Sequence, residues 1–205
     1  VSESGPVYSE FDPSVHVIDP FDVPQEWQDA LSIDPGLNNP LSCHWYAIDG
    51  DGVVYVVAEH YAAKKDVAWH TDGKGRLDAF IDSAANQRTL AASKSVSELF
   101  SEQGINVNSR VNKDLYSGIN RVKQYLKISP LGPRLYIFRS CVNLIRELKS
   151  YRWGSNDLPA KKDDHALDEL RYYLCSRPEP RKPPEEKSVI ARDKEKLIRR
   201  LRANR

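Results

Sequence analysis

The sequence of 205 residues contains no methionine and no long apolar run. Its longest apolar stretches, such as residues 53–58, fall far short of the ~20 residues that a transmembrane helix requires, so the sequence excludes such a helix. Because no basic segment followed by an apolar one opens the chain, we expect no signal peptide. The absence of methionine leads us to expect that the chain is a piece of a longer protein.

Cysteine is also scarce, since the chain has only three, Cys43, Cys141 and Cys175. Their number is odd and they lie far apart, without a CxxC pair or a histidine at zinc-finger spacing. This pattern indicates neither a disulfide framework nor a structural zinc site. We expect buried free thiols in a reducing compartment. Cys43 and His44 are neighbours on a predicted strand and point to opposite faces, so they do not form a catalytic pair.

Two motifs of common enzyme classes are absent. The chain has no GxxxxGK[ST] loop for nucleotide phosphates and no GxSxG sequence, the nucleophile motif of many hydrolases. A GxG at residues 73–75 follows no predicted strand and lacks a third glycine, so we interpret it as a plain loop. His16, His60 and His70 show no ligand spacing, and we interpret them as structural or surface residues.

Charge is distributed unevenly along a chain whose 40% hydrophobic and 29% charged residues are typical of a globular protein. Residues 177–205 hold 11 basic and 5 acidic side chains, which leaves 19 basic and 24 acidic ones for residues 1–176. We therefore expect a lead-in packed on the domain at 1–25, a folded domain at 26–176 and a proline-broken basic tail at 177–205. Such tails commonly bind nucleic acid or another acidic surface.

The pattern of apolar residues predicts an α/β fold. Strands are predicted at residues 30–34, 41–48 and 53–59, and the Gly and Asp residues of 49–52 favour a tight hairpin between the last two. Further strands are predicted at residues 79–82 and 134–138. Helices are predicted at residues 62–70, 93–103, 113–126 with Asn112 as its cap and an apolar stripe at 115–126, 141–148 and 164–174. Three antiparallel strands followed by strands that alternate with helices indicate a mixed sheet flanked by helices.

Acidic residues stand at positions where such sheets form sites. Asp34 and Asp82 end two predicted strands, and Asp163, Asp164 and Asp168 cluster at the start of a helix. Each has a structural alternative, because Asp163 or Asp164 can cap the helix and Asp34 can bond to its own turn. Brought together, the carboxylates would repel one another unless a cation lay between them. Mg²⁺ and Mn²⁺ prefer such oxygen ligands, and two ions roughly 3.5–4 Å apart can hydrolyse a phosphodiester.

Several motifs resemble one known family in order and spacing. They are SIDPG at 32–36, FIDSAAN at 80–86, KDDHALDELRY at 162–172, and shorter matches at 5–8, 113–119 and 138–153. Together they look like the C-terminal nuclease domain of tailed-bacteriophage terminase large subunits. The resemblance spans residues 5–175, and the motif at 162–172 is its most specific part. It implies an RNase H-like fold and a divalent-metal nuclease that cuts concatemeric viral DNA during packaging.

By this resemblance, Asp34, Asp82 and Asp164 are the catalytic metal ligands of a two-metal Mg²⁺ or Mn²⁺ site. Members of the family differ in which residue of the last helix reaches the metal, so Asp163 and Asp168 remain further candidate ligands. His165 is either a supporting residue or an alternative ligand. Ser83 departs from the family, in which a proline commonly follows the second aspartate.

Contact with DNA is expected from basic residues near the acids, and each of them has the alternative of a solvated surface charge. These residues are Lys161, Lys162, Lys74, Arg76 and Lys113. Because no interleaving of aromatic and basic residues suggests base readout, we expect phosphate contacts with little sequence preference. The basic tail is either a DNA-clamping arm, a helix that docks on the portal or another packaging protein, or a disordered solvated segment.

The resemblance implies double-stranded DNA, the terminase ATPase domain of the same full-length chain, the small terminase subunit and the portal protein as partners. No membrane partner is expected. The place of action would be the host cytoplasm during assembly, and the protein would not be a virion component. Because the chain has no phosphate-binding loop, we expect the ATPase half to be absent from it. The alternatives are a junction resolvase or RNase H-type enzyme, and a non-catalytic module that binds DNA or the packaging machinery.

Overall fold

The computed structural model describes residues 5–36, 39–71, 77–88, 93–154, 157–160 and 162–177. Within these ranges, thirteen α-helices and β-strands follow one another along the chain. They are α1 (Pro13–His16), β1 (Val17–Ile18), β2 (Gln28–Asp34), β3 (Leu41–Ile48), β4 (Val54–Ala62), α2 (Val67–Thr71), β5 (Leu77–Ile81), α3 (Val96–Glu102), β6 (Ile105–Asn108), α4 (Leu115–Leu126), β7 (Leu135–Phe138), α5 (Val142–Ser150) and α6 (His165–Ser176).

The strands form one mixed sheet in the order β1-β7-β4-β3-β2-β5-β6. The central strands β2, β3 and β4 pair antiparallel, whereas β5, β6, β7 and β1 join the sheet by parallel pairing. The predicted α/β class, with three antiparallel strands followed by parallel ones, is confirmed. In this sheet the parallel neighbours β2 and β5 run side by side with Ile33 opposite Ile81. Their carboxyl ends therefore lie at the same edge.

Helices cover both faces of the sheet. On β2, the buried Ser32 hydroxyl donates to the Glu169 carbonyl of α6, while Ile33, on the other face, packs in a cluster with Phe100 of α3. The larger core lies on the α6 side, where Tyr46 of β3 stacks on Tyr173 with ring centroids 3.6 Å apart. Among the described residues, none of the helices is long and apolar enough to cross a membrane.

The antiparallel strands were predicted most closely. Strand β3 has the predicted bounds, and the predicted turn after it is confirmed. The Asp49 carbonyl accepts from the Gly52 amide at 3.0 Å, and its carboxylate accepts from the amides of Asp51 and Val53. Gly52 has a φ of 79°, a conformation that glycine adopts without steric cost.

The helix predicted at 62–70 is wrong over its first half. Strand β4 continues to Ala62, which pairs with Leu41, and α2 begins at Val67. The helix cap predicted at Asn112 is also wrong, because the Asp114 side chain accepts from the Ser117 amide at 2.7 Å. Asn112 instead accepts from the Asp114 amide.

Three further features were not predicted. Strand β6 extends the sheet beyond β5. In the lead-in, β1 pairs with β7, and Val7 and Tyr8 are buried in the main core. Cys43 and Cys141 are buried, as expected, but Cys175 is only half-buried.

Candidate active site

Two strand ends bring Asp34 and Asp82 to one edge of the sheet. Asp34 is the last residue of β2, and Asp82 directly follows β5. Both line one cavity of about 440 Å³ whose other walls are largely apolar. The parallel pairing of β2 with β5 thus places two carboxylates from distant parts of the chain side by side.

Asp34 is a largely buried carboxylate next to other acids. Its Oδ2 lies 2.9 Å from Nδ1 of His165, the first residue of α6. Burial raises the pKa of Asp34, the contact with His165 offsets this only in part, and the charges of Asp82 and Asp164 raise it further. Asp82 and Asp164 are therefore near enough to Asp34 for their charges to disfavour its ionised form.

Asp82 is held by three donors. Its Oδ1 accepts from the Ala84 amide and from the Lys113 ammonium, each at 2.7 Å, and its Oδ2 accepts from the Tyr172 hydroxyl at 3.0 Å. Burial would raise the pKa of Asp82, but these hydrogen bonds outweigh it and hold the pKa below its ordinary value. Asp82 is therefore ionised and fixed in orientation.

At the start of α6, Asp164 occupies the N-cap position without making a side-chain cap hydrogen bond. The preceding Asp163 has a φ of 51°, in the left-handed region. Glu147 of α5 supplies the cap instead, since its Oε2 accepts from the Ala166 and Leu167 amides. Burial raises the pKa of Glu147 to about 6 against these hydrogen bonds.

Asp164 and Asp168 line a second cavity of about 330 Å³, together with Lys113 and Tyr172. Asp168 is paired with the buried Arg171 guanidinium one turn further along α6. This pairing gives Asp168 a local counter-charge. The helix therefore presents two acids with different surroundings.

A buried charge network lies behind these acids. His44 of β3 contacts Glu59 of β4 at 3.0 Å and pairs with Glu169 of α6, and Glu169 also accepts from the Tyr46 hydroxyl. His44 and Glu169 have no exposed surface. The network joins α6 to the sheet beneath the site.

The structure describes two of the five predicted DNA-binding residues. Lys113 is bonded to Asp82, and Lys162 is exposed just before the acids of α6. Lys74, Arg76 and Lys161 lie outside the described residues.

Of the predicted metal ligands, Asp34, Asp82 and Asp164 offer the carboxylate oxygens that hard divalent cations prefer. Within the described ranges, no group of three or more His, Cys, Asp or Glu side chains is arranged to hold a metal ion as it stands. The donors fit Mg²⁺ or Mn²⁺ because they are carboxylate oxygens, and the charges of Asp82 and Asp164 raise the pKa of Asp34. A bound cation would relieve that repulsion.

Sequence reasoning missed two residues of the site. Tyr172 lies seven residues after His165, a spacing that places both on one face of α6, so the helical period could have found it. Glu147 interrupts an apolar stripe between Leu144 and Leu148, and an acid in such a position is a signal of a buried role. Its contact with α6 depends on tertiary packing and has no sequence signature.

Comparisons with known proteins agree with this architecture. The family of terminase RNaseH-like domains matches residues 31–177. The nuclease domain of the P22 large terminase has a similar structure, with a TM-score of 0.72 and 18% identity over 85% of this chain and 93% of that one. The large terminase of a thermophilic bacteriophage is similar with a TM-score of 0.67 and 26% identity over 85% of this chain. No curated protein matches by sequence.

Because the family match covers more than half of the residues, the chain belongs to the family of terminase RNaseH-like domains. The resemblance found in the sequence motifs and the predicted RNase H-like fold are confirmed. The chain spans less than half the length of the large terminase from the thermophilic bacteriophage, of which it covers 46%.

Proposed function

We propose that this domain is a divalent-metal-dependent DNA endonuclease that cuts concatemeric viral DNA during genome packaging, with little sequence specificity. The observation that carries the proposal is that Asp34 and Asp82 line one cavity and that Asp34 contacts His165 at the start of α6, in a member of the terminase RNaseH-like family. The charges of Asp82 and Asp164 contribute to the raised pKa of Asp34, and such repulsion between carboxylates is typical of a cation-binding site.

In this proposal Asp34, Asp82 and Asp164 hold the metal, with Asp163 and Asp168 as the further candidates. A pair of bound Mg²⁺ or Mn²⁺ ions would activate water and stabilise the leaving oxygen of a phosphodiester. His165 orients the Asp34 carboxylate through its 2.9 Å contact.

The protein's own basic residues would bind DNA through its phosphates. Lys113 and Lys162 lie next to the acids, and Lys74, Arg76 and Lys161 complete the set expected from the sequence. Phosphate contacts carry no sequence information, so the choice of cutting site would fall to partners. The proposed partners are the ATPase domain of the longer chain, the small terminase subunit and the portal protein, in the host cytoplasm.

Cleavage of supercoiled plasmid tests this function. We expect the chain to linearise plasmid in millimolar Mn²⁺ or Mg²⁺ and to be inactive in EDTA. Asp34→Asn and Asp164→Asn should each lose roughly 10²-fold or more in rate, because each removes a charge needed in the transition state. Asp78→Asn is the matched control, since Asp78 lies on β5 but bonds to Asn106.

Each variant is first shown to be folded by circular dichroism. Metal-independent cutting, or full activity in both Asn variants, would contradict the proposal. A wild-type chain that binds DNA without cutting it in either metal would instead favour a non-catalytic module. Preferential cutting of four-way junctions or RNA–DNA hybrids would favour a resolvase or an RNase H-type enzyme.

A further inference from the structure

The first turn of α6 is capped by a side chain from another helix. The leading amides of a helix have no partner within it. Those of Ala166 and Leu167 donate to Oε2 of Glu147 at 2.8 and 3.3 Å. Glu147 is completely buried in α5, and its Oε1 accepts from the Tyr61 hydroxyl at 2.7 Å. Its carboxylate thus bonds the second and third amides of α6, where an N-cap aspartate normally bonds.

Asp164 stands where the cap residue should be but does not serve as one. N-cap residues usually have an extended backbone, with which the side chain reaches back to the helix amides. Asp164 has φ −121° and ψ 11°, and no cap hydrogen bond. Asp164 instead lines the cavity that Lys113 and Tyr172 also line. The Asp164 side chain therefore does not cap α6.

We propose that Glu147 is a positioning residue of the metal site, which caps α6 so that the Asp164 carboxylate stays available for the cation. This inference rests on the proposed function. Without Glu147, the buried amides of Ala166 and Leu167 lack an acceptor, and leaving them unsatisfied is costly. Asp164 is the acid next to them in the chain. Turning it toward the amides would withdraw it from the site.

A double-mutant cycle on thermal stability, measured without metal, tests whether Glu147 caps α6 in place of Asp164. In the wild-type background, Asp164→Ala should change the melting temperature by less than about 2 °C, because Asp164 caps nothing. In the Glu147→Ala background, where Asp164 takes over the cap, the same substitution should cost about 2–4 °C more. Equal effects of Asp164→Ala in the two backgrounds would overturn the proposal.

Binding of Mn²⁺ without DNA, followed by isothermal titration calorimetry, tests the consequence for the site. Glu147→Ala should weaken Mn²⁺ binding by about 10- to 100-fold, the usual effect of losing a residue that orients a ligand. Glu147→Gln keeps an oxygen for both amides and should restore binding to within about threefold of wild type. Tyr61→Phe, which leaves the cap intact, is the matched control. Unchanged Mn²⁺ affinity in folded Glu147→Ala would overturn the proposal.

The two measurements separate this inference from the proposed function. Wild-type protein that binds no Mn²⁺ would contradict the proposed function as well. Mn²⁺ binding by the wild type together with an additive stability cycle would contradict the role of Glu147 alone. Should Glu147→Ala fail to fold, Glu147→Asp replaces it in both measurements, because the shorter side chain cannot reach both amides.

Discussion

Asp163 and Asp164 are neighbours in the chain, but they have different surroundings at the start of α6. Asp163 has a left-handed backbone with φ 51°, which a non-glycine residue adopts only at a cost. Asp164 lines the second cavity together with Asp168 and Lys113. We therefore propose a turn role for Asp163 and a ligand role for Asp164.

We predict that Asp163→Gly keeps plasmid cleavage within about threefold of wild type, because glycine adopts the left-handed conformation freely. Its free energy of unfolding should change by less than about 1 kcal/mol, since the relieved strain offsets the greater freedom of the unfolded chain. Cleavage rates and urea denaturation check both points. A loss of activity as large as that of Asp164→Asn would make Asp163 a ligand.

Lys113 and a metal ion would compete for the same oxygen of Asp82. The ammonium lies 2.7 Å from Oδ1 and helps to hold the pKa of Asp82 below its ordinary value. Lys113→Met should therefore tighten Mn²⁺ binding in the absence of DNA by up to about fivefold, the value of a partly exposed ion pair. Calorimetric titration measures this change. Lys94→Met, which removes an exposed ion pair with Glu102, is the control; equal affinities in both variants would contradict the competition.

The site was predictable from sequence to the extent that it depends on local signals. Asp34 and Asp82 end apolar strands, and Asp164 precedes a helix, so their positions could be predicted. The bond from Lys113 to Asp82 and the cap from Glu147 could not. They join residues 31 and 19 positions apart whose proximity is set by tertiary packing.

At the scale of elements, β3, β4 and α6 are joined by buried charges. His44 lies between Glu59 and Glu169 without exposure to solvent. Burial alone would lower the pKa of His44, but the two carboxylates outweigh it and raise the pKa to about 9. A buried imidazolium that loses its proton would leave these carboxylates without their counter-charge.

This network predicts a loss of stability at alkaline pH. A histidine with a raised folded-state pKa contributes fully below pH 6.5, and that contribution is lost as the pH rises toward 9. The free energy of unfolding should therefore fall as the pH rises from 6.5 toward 9. Chemical denaturation between pH 6 and 9.5 measures it. His44→Gln should show a flatter profile, and an identical slope in both proteins would contradict the assignment.

Helices and strands were predicted correctly where local sequence signals were strong. They were predicted incorrectly where pairing between strands determines the structure. Strand β3 and the turn after it follow from apolar runs and from Asp49 and Gly52. The helix predicted at 62–70 began too early because Ala62 and Ala63 favour a helix, whereas Ala62 is held in β4 by pairing with Leu41 of β3. Strand β6 has four residues, too few for a clear alternation, and forms by pairing with β5.

At the scale of the whole molecule, the acidic charge of residues 1–176 and the acids of the site both oppose the binding of DNA. Residues 1–176 have 24 acidic against 19 basic side chains, and the acids of the site add to the repulsion of DNA. Bound cations, the basic residues near the acids and the basic segment 177–205 are the sources of attraction that the sequence offers. The family could be identified from motifs because SIDPG, FIDSAAN and KDDHALDELRY together specify one arrangement of strand ends and helix start.

The central claim is that Asp34, Asp82 and Asp164 together hold a divalent cation. Anomalous diffraction from crystals soaked in Mn²⁺ tests it most directly. The account predicts an anomalous peak within about 2.5 Å of carboxylate oxygens of these three residues, with Lys113 withdrawn from Asp82. A peak held by Asp163 or Asp168 in place of Asp164, or no peak between β2, β5 and α6 at millimolar Mn²⁺, would contradict it.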